Sequence, residues 1–192
     1  MAKGEEDVRT RLQRAALELF RECGYDRTTA AEIAARAGVT ERTFFRYFPD
    51  KREVLFDGEA ILRAALTRSI ADAPAGEPLL DILFDAFRSV LPALEANRPF
   101  SKPRQDVIAG TPALQERELA KTGALSEALS DALQARGAAA SRTRLAARIG
   151  MAAFVQATIS WLDDPEPGLD ERLDLAWREL KALFVESDRS TG

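Results

Sequence analysis

Residues 27–56, RTTAAEIAARAGVTERTFFRYFPDKREVLF, decide the fold, because two short helices and the turn between them can be read from their side chains alone. Thr29 is followed three residues later by Glu32. That is the capping-box spacing, in which a hydroxyl and a carboxylate each satisfy a backbone N–H left unpaired at a helix start. A helix therefore begins here, with Ile33, Ala34 and Ala37 as its apolar stripe. Gly38 comes next, and glycine accepts the positive φ on which many helices end. Val39 returns the chain to the core and Thr40 is a second N-cap. Phe44 and Phe48, four residues apart, define the buried side of the helix that Thr40 opens. Pro49 cannot continue that helix.

The other faces of this second helix carry Arg42 and Arg46 on one line and Glu41 with Phe45 on the next. An α-helix fits the DNA major groove, and the planar fork of arginine can donate twice to guanine O6 and N7. Thr43 can reach a base or a phosphate, while Tyr47 and Lys51 flank the face with donors placed for a passing backbone. Asp50 and Glu53 repeat the capping-box spacing. The spacing predicts a third helix that starts at once, carries Lys51 in its first turn and continues through Ile61, Leu62, Ala65 and Leu66 to the PAGEP break at Pro74–Pro78.

The ordered set of Thr29, Ile33 and Ala34, the Ala37-Gly38-Val39 turn, Thr40, Thr43, the aromatic run Phe44 to Phe48, Lys51 and Leu55 resembles the N-terminal DNA-binding domain of TetR-family transcriptional regulators. The resemblance is specific over the stretch up to Phe56; beyond it only the helical layout matches. It implies an all-α protein with an N-terminal three-helix helix-turn-helix DNA-binding domain, residues 1–56, and a C-terminal helical ligand-binding and dimerisation domain, residues 57–192. It also implies a repressor that occupies a palindromic double-stranded DNA operator as a homodimer until a small effector releases it. An activator, or a regulator without a small-molecule effector, stays open as the alternative. The DNA-binding set expected on these grounds is Thr28, Thr29, Thr40, Arg42, Thr43, Phe45, Arg46, Tyr47 and Lys51. The family usually has Tyr where this chain has Phe45, so a hydroxyl-to-phosphate bond is lost there and contact with a thymine methyl takes its place.

Composition agrees with one or two small domains: 192 residues, 46% of them hydrophobic, are enough for an ordinary packed core. The net charge of −4 is unusual for a DNA binder, but its distribution matters more than its sum. Met1–Phe56 holds 11 basic and 10 acidic residues against 16 and 21 in the remainder, and Arg42, Arg46, Lys51 and Arg52 cluster about one expected face. With no His and a single Cys, the common zinc patterns and an intramolecular disulfide are excluded, and neither metal nor cofactor is expected. Cys23 reads as a small packing residue rather than a redox sensor. Met1–Asp7 is polar, unlike a signal peptide, and no charge-free apolar run has the length of a membrane span. The expectation is a cytoplasmic protein without a membrane partner. A helical enzyme, the remote alternative, needs an acid/base pair or nucleophile in a cleft. Asp81 and Asp85 lie instead on the polar line of their helix, and no enzyme is expected.

Before the decisive stretch, Val8, Leu12, Ala15, Ala16, Leu19 and Phe20 mark a supporting helix that ends at Gly24. Thr28 after it is either a turn residue or a phosphate donor. Leu79–Leu94 is apolar on more faces than one packing stripe requires, which places it centrally. An effector pocket is expected against it, lined by Phe84, Phe87, Ile108 and Phe154, with Arg88 or Arg104 available to an acidic group. A packed core with solvent-facing arginines is the competing reading. The pocket implies a small hydrophobic or aromatic effector, with or without an acidic group, and the helix from Lys51 is expected to carry its signal to the DNA. A further helix runs from Pro112 to about Arg136 with Leu114, Leu119, Leu125, Leu129 and Leu133 inward. The chain closes with helices over Ser141–Leu162 and Leu169–Glu186, the latter striped by Leu169, Leu173, Ala176, Trp177, Leu180 and Phe184. Small residues permit close approach of backbones, so Ala153, Ala157, Trp161 and Trp177 read either as a subunit interface or as sealing of the chain's own core. Dimerisation through the last two helices in the family tips this to the interface.

Overall fold

The computed structural model describes the backbone of residues 2–185 and the side chains of residues 8–182. The side chain of Phe184, and Glu186, lie outside the described residues. Every α-helix and turn of helix that follows is separated by short loops, and the described residues contain no strand. The helices are α1 (Ala2–Cys23), α2 (Ala30–Arg36), α3 (Glu41–Tyr47), α4 (Glu59–Asp72), α5 (Leu79–Ala96), α6 (Arg98–Ala109), α7 (Pro112–Ala135), α8 (Ala140–Asp163) and α9 (Leu169–Val185). They form two compact units, Met1–Glu59 with Pro99–Glu118 and Ala60–Arg98 with Leu119–Gly192.

In the first unit α1 turns Leu12, Ala15, Ala16, Leu19 and Phe20 inward, the three- and four-residue spacing of one helical face. They pack with Ile33, Ala34 and Ala37, with Phe44 and Phe48, and with Val54, Leu55 and Phe56. Burying each large side chain of this set stabilises the unit by about 1.5–3 kcal/mol. Ile108 and Leu114, from α6 and α7, are buried in the same cluster. A contiguous division after Phe56 therefore differs from the packing, because a later segment supplies part of the first core.

The helix-turn-helix forms as its caps dictate. At α2 the Thr29 hydroxyl accepts from Glu32 N at 3.2 Å while the Glu32 carboxylate accepts from Thr29 N at 2.8 Å. Gly38 has φ +70°, and at α3 the Thr40 hydroxyl accepts from Thr43 N at 3.1 Å. The expected third helix is where the chain departs from its sequence pattern. Asp50 does cap, accepting from Arg52 N at 2.8 Å and Glu53 N at 3.0 Å, but only one turn of 3-10 helix, Glu53–Leu55, follows. Val54 and Leu55 are pulled inward, the chain breaks at Gly58 with φ +91°, and α4 begins afresh at Glu59. Lys51 thus precedes α4 instead of opening it.

In the second unit α5 buries Ile82, Leu83, Phe84, Ala86, Phe87, Val90 and Leu91, so it is central, as its composition requires. Gly150 of α8 lets that helix approach closely: a Cβ there would lie 3.3 Å from Leu83 and 3.4 Å from Phe87. Phe87 stacks on Phe154 with ring centroids 4.4 Å apart, and Phe84 stacks on Trp177 at 4.3 Å. Leu125, Leu129 and Leu133 of α7 close the cluster, whereas Leu119, expected inward, is 74% exposed at the segment where α7 passes from the first unit to the second. By length and composition α8 is apolar enough to cross a membrane; its inner face, Ala146, Ala147, Gly150, Phe154, Ala157 and Trp161, is instead buried in this core.

Candidate nucleic-acid interface

The outward side of α3 is built on Phe44, which is fully buried and fixes the helix by one edge. Phe45, next in sequence, is half exposed and meets the Phe44 ring edge-on at 5.3 Å. Arg42 is exposed and has no hydrogen bond or ion pair among the described residues. Arg46 is exposed and donates to the Tyr47 hydroxyl at 3.2 Å, its guanidinium 5.0 Å from the Tyr47 ring centroid. Arg9 of α1 lies over the same ring at 5.7 Å and is held by Asp57. The solvent side of α3 thus presents two guanidiniums and a phenyl ring, with Thr40 and Thr43 hydroxyls at its start, 2.9 Å from each other. Planar donors beside an apolar ring are the groups that base edges in a major groove accept.

Three of the residues expected at DNA are otherwise engaged. Thr28 is 1% exposed, and its hydroxyl donates to Gly24 O at 2.9 Å, at the turn that follows α1. Lys51 points inward: its ammonium donates to Tyr25 O at 2.7 Å, Thr28 O at 2.8 Å and Asp26 O at 3.4 Å, and lies 4.3 Å from the Tyr25 ring centroid. All three ammonium protons are directed at the loop between α1 and α2, so a phosphate contact would have to displace them. Thr29 is exposed, yet its hydroxyl both accepts from Glu32 N in the α2 cap and donates its proton to the Glu32 carboxylate at 2.9 Å. That cap's backbone and side-chain hydrogen bonds also hold the Glu32 carboxyl below its ordinary value.

Other basic residues brace the unit, and sequence spacing gave no sign of them because their partners are distant. Arg36 joins α2 to α1 through Glu22 at 2.9 Å and Glu18 at 3.4 Å. Arg117 of α7 grips Glu53 with two bonds, 2.8 and 3.0 Å, and Glu59 at 3.0 Å. Its hydrogen bond to Glu53 is the first cause holding that carboxyl below its ordinary value, and it raises the guanidinium correspondingly. Arg104 of α6 donates to Leu55 O and pairs with Glu118 at 2.6 Å. The Arg104 and Arg117 guanidiniums both lie over the buried Phe56 ring, at 5.0 and 4.7 Å.

The six residues expected to line an effector pocket divide between the two units. Ile108 and Arg104 belong to the first unit, Ile108 in its core and Arg104 in the contacts just described. Phe84, Phe87 and Phe154 are buried against each other and Trp177 in the second. Arg88 pairs with Asp85 at 2.9 Å and with Asp174, and the Asp174 hydrogen bond comes first among the causes raising its guanidinium. Of the expected interface residues, Ala157 and Trp161 are buried in their own unit, while Ala153 and Trp177 are half-buried against the same core. Among the described residues, the large apolar side chains exposed on α8 and α9 are Leu145, Ile159 and Leu175. Cys23 is exposed at the end of α1, beside a cleft of about 600 Å³ that Phe20, Tyr25 and Val107 also line, so it is not a packing residue.

Two capped helices joined at a positive-φ glycine, the second presenting two exposed guanidiniums, define an all-α helix-turn-helix protein. Residues 12–57 match the model for bacterial regulatory proteins of the tetR family, and residues 77–185 match the MftR C-terminal domain. The chain belongs to the TetR family of transcriptional regulators. It is 42% identical over 84 residues to the helix-turn-helix-type transcriptional regulator TcmR of Streptomyces glaucescens, which is 44% of this chain and 37% of TcmR. It is 39% identical over 79 residues, 41% of this chain, to an uncharacterised helix-turn-helix-type regulator of Mycobacterium tuberculosis H37Rv, of which that stretch is 38%. These matches span less than two-fifths of the relatives' own length. Among solved structures, the complex of SmeT with triclosan superposes with a TM-score of 0.62 at 21% identity, covering 90% of each chain. NalD, the secondary repressor of the MexAB-OprM multidrug efflux pump in Pseudomonas aeruginosa, does so with a TM-score of 0.61 at 21% identity, covering 92% of this chain and 96% of NalD. At these identities the likeness is one of fold.

Proposed function

We propose that this chain is a ligand-responsive repressor that binds a palindromic operator as a homodimer in the cytoplasm and carries out no catalysis. The observation that carries the reading is the outward side of α3, where Arg42, Phe45 and Arg46 stand exposed on a helix pinned by Phe44 and its Thr40 cap. Arg42 and Arg46 read bases, while Thr40, Thr43 and Tyr47 touch the strand beside them. Leu145, Ile159 and Leu175 on α8 and α9 give the second copy an apolar face. SmeT was captured with triclosan, and on that likeness of fold the effector of this chain is a small hydrophobic or aromatic compound.

Selection of bound sequences from a random duplex pool tests the reading. A recovered palindrome is the expected result, and Arg42→Ala or Arg46→Ala should each cost roughly 1–3 kcal/mol and relax preference at one position per half-site. A pool without enrichment, or variants with unchanged affinity and preference, refutes it. Thermal shift against a panel of hydrophobic and aromatic compounds, followed by titration of operator release, tests the effector; a ligand that leaves operator affinity unchanged refutes the coupling.

A further inference from the structure

The break at Gly58 means that α4 is not continuous with the segment that carries Lys51, so the direction in which α4 starts must be fixed by something other than an unbroken helix. One side chain spans the break. The Arg117 guanidinium holds Glu53, before the glycine, by two bonds of 2.8 and 3.0 Å and Glu59, after it, by one of 3.0 Å. These groups are sheltered, with Arg117, Glu53 and Glu59 side chains 21%, 23% and 22% exposed, and the guanidinium also lies 4.7 Å from the Phe56 ring centroid. Glu59 is the last residue of the first unit before the chain leaves it, and Arg117 is one residue short of the point where α7 leaves it. Glycine at positive φ supplies a joint with little preference of its own, and a planar fork shared by two carboxylates is suited to holding such a joint at one angle.

We propose that Arg117 is a positioning residue for operator recognition: its guanidinium, shared between Glu53 and Glu59 across Gly58, sets the direction of the first turn of α4. This rests on the palindromic-operator reading above. A lone half-site asks only that α3 be presented, whereas two half-sites also ask that the two recognition helices of a dimer be held at a defined spacing. Arg117 therefore acts on the second requirement and not the first.

The test uses the full chain, the palindrome recovered by selection and a duplex carrying one of its half-sites. Glu59→Gln and Arg117→Lys are compared with the unaltered protein, at a temperature where circular dichroism reports all three folded. Lysine keeps the charge but cannot bridge as the fork does, and glutamine takes the charge only from the arm beyond the glycine. Both variants should bind the palindrome about tenfold more weakly, the loss of a charge-assisted hydrogen bond, while half-site affinity stays within about twofold. Equal losses on the two duplexes make the cluster a local brace and overturn the proposal, as does unchanged binding to both. If the unaltered protein gains nothing from the second half-site, the palindromic operator itself is refuted and this proposal with it. That outcome is told apart from the others because it needs no variant.

Discussion

Lys51→Met separates a structural ammonium from a DNA-binding one. In the folded unit Lys51 makes two short bonds, 2.7 Å to Tyr25 O and 2.8 Å to Thr28 O, and a long one of 3.4 Å to Asp26 O. A hydrogen bond from a charged donor contributes about 1.5–3 kcal/mol, but this group is half-buried and water can reach the freed carbonyls, so the pair is worth about 2 kcal/mol in all. Loss of the ammonium over the Tyr25 ring adds roughly 0.5–1 kcal/mol. Methionine keeps most of the stem, which limits the packing loss. A total near 2.5 kcal/mol corresponds to a fall in Tm of about 5–10 °C for a chain of this size. Calorimetry of the full chain measures it, and fluorescence anisotropy over a series of salt concentrations measures the other side. A phosphate contact contributes about 0.9 to the slope of log K against log salt. The expected result is a lowered Tm with that slope unchanged. An unchanged Tm with a slope smaller by about one would put the ammonium on DNA and refute the assignment made from its carbonyl contacts.

Thr28→Val removes the buried hydroxyl that donates to Gly24 O while keeping its shape, so urea titration should show a loss of about 1 kcal/mol with the salt dependence of operator binding unaltered. The Glu53 carboxyl is held below its ordinary 4.5, first by its hydrogen bond from Arg117. Because the folded value is the depressed one, its contribution is fully present above pH 4.5 and is lost as pH falls through the lowered value; Glu53→Gln should flatten that part of a Tm-against-pH curve. Ile159→Lys combined with Leu175→Lys places charge on side chains already exposed, so sedimentation should report monomer while circular dichroism stays unchanged. A dimer that survives both changes would move the interface away from this face of α8 and α9.

What could be read in advance and what could not divide by the range of the interaction. The Thr29–Glu32 and Thr40–Thr43 caps, the Gly38 turn and the Phe44/Phe48 face are settled within four residues, and the folded unit contains each of them. Asp50 shows where local reasoning ends. Its cap forms, but Val54, Leu55 and Phe56 are all drawn into the α1 core, and that demand shortens the helix to a single 3-10 turn. Lys51 looked free because its acceptors, Tyr25, Asp26 and Thr28, are backbone oxygens that no residue pattern advertises. Arg117 was invisible for a related reason: Glu53 and Glu59 lie 64 and 58 residues away. On α8, small residues indicate close approach but do not name the neighbour; Gly150 and Ala157 face the chain's own core, while the exposed Leu145 and Ile159 lie on either side of that pair in sequence.

The discontinuous make-up of the first unit has a consequence for the order in which the protein is made. Residues 1–59 emerge first, yet Ile108 and Leu114, which complete their core, are synthesised only after α4 and α5. At roughly 5–20 residues per second that is an interval of some seconds during which the helix-turn-helix stands partly uncovered on the nascent chain. The apolar α5 waits too, because Leu125, Leu129 and Leu133 arrive later still. Leu114 and these three leucines all belong to α7, so one helix serves both cores, and a chain interrupted within it leaves two open hydrophobic surfaces at once, the second of which also awaits α8 and α9.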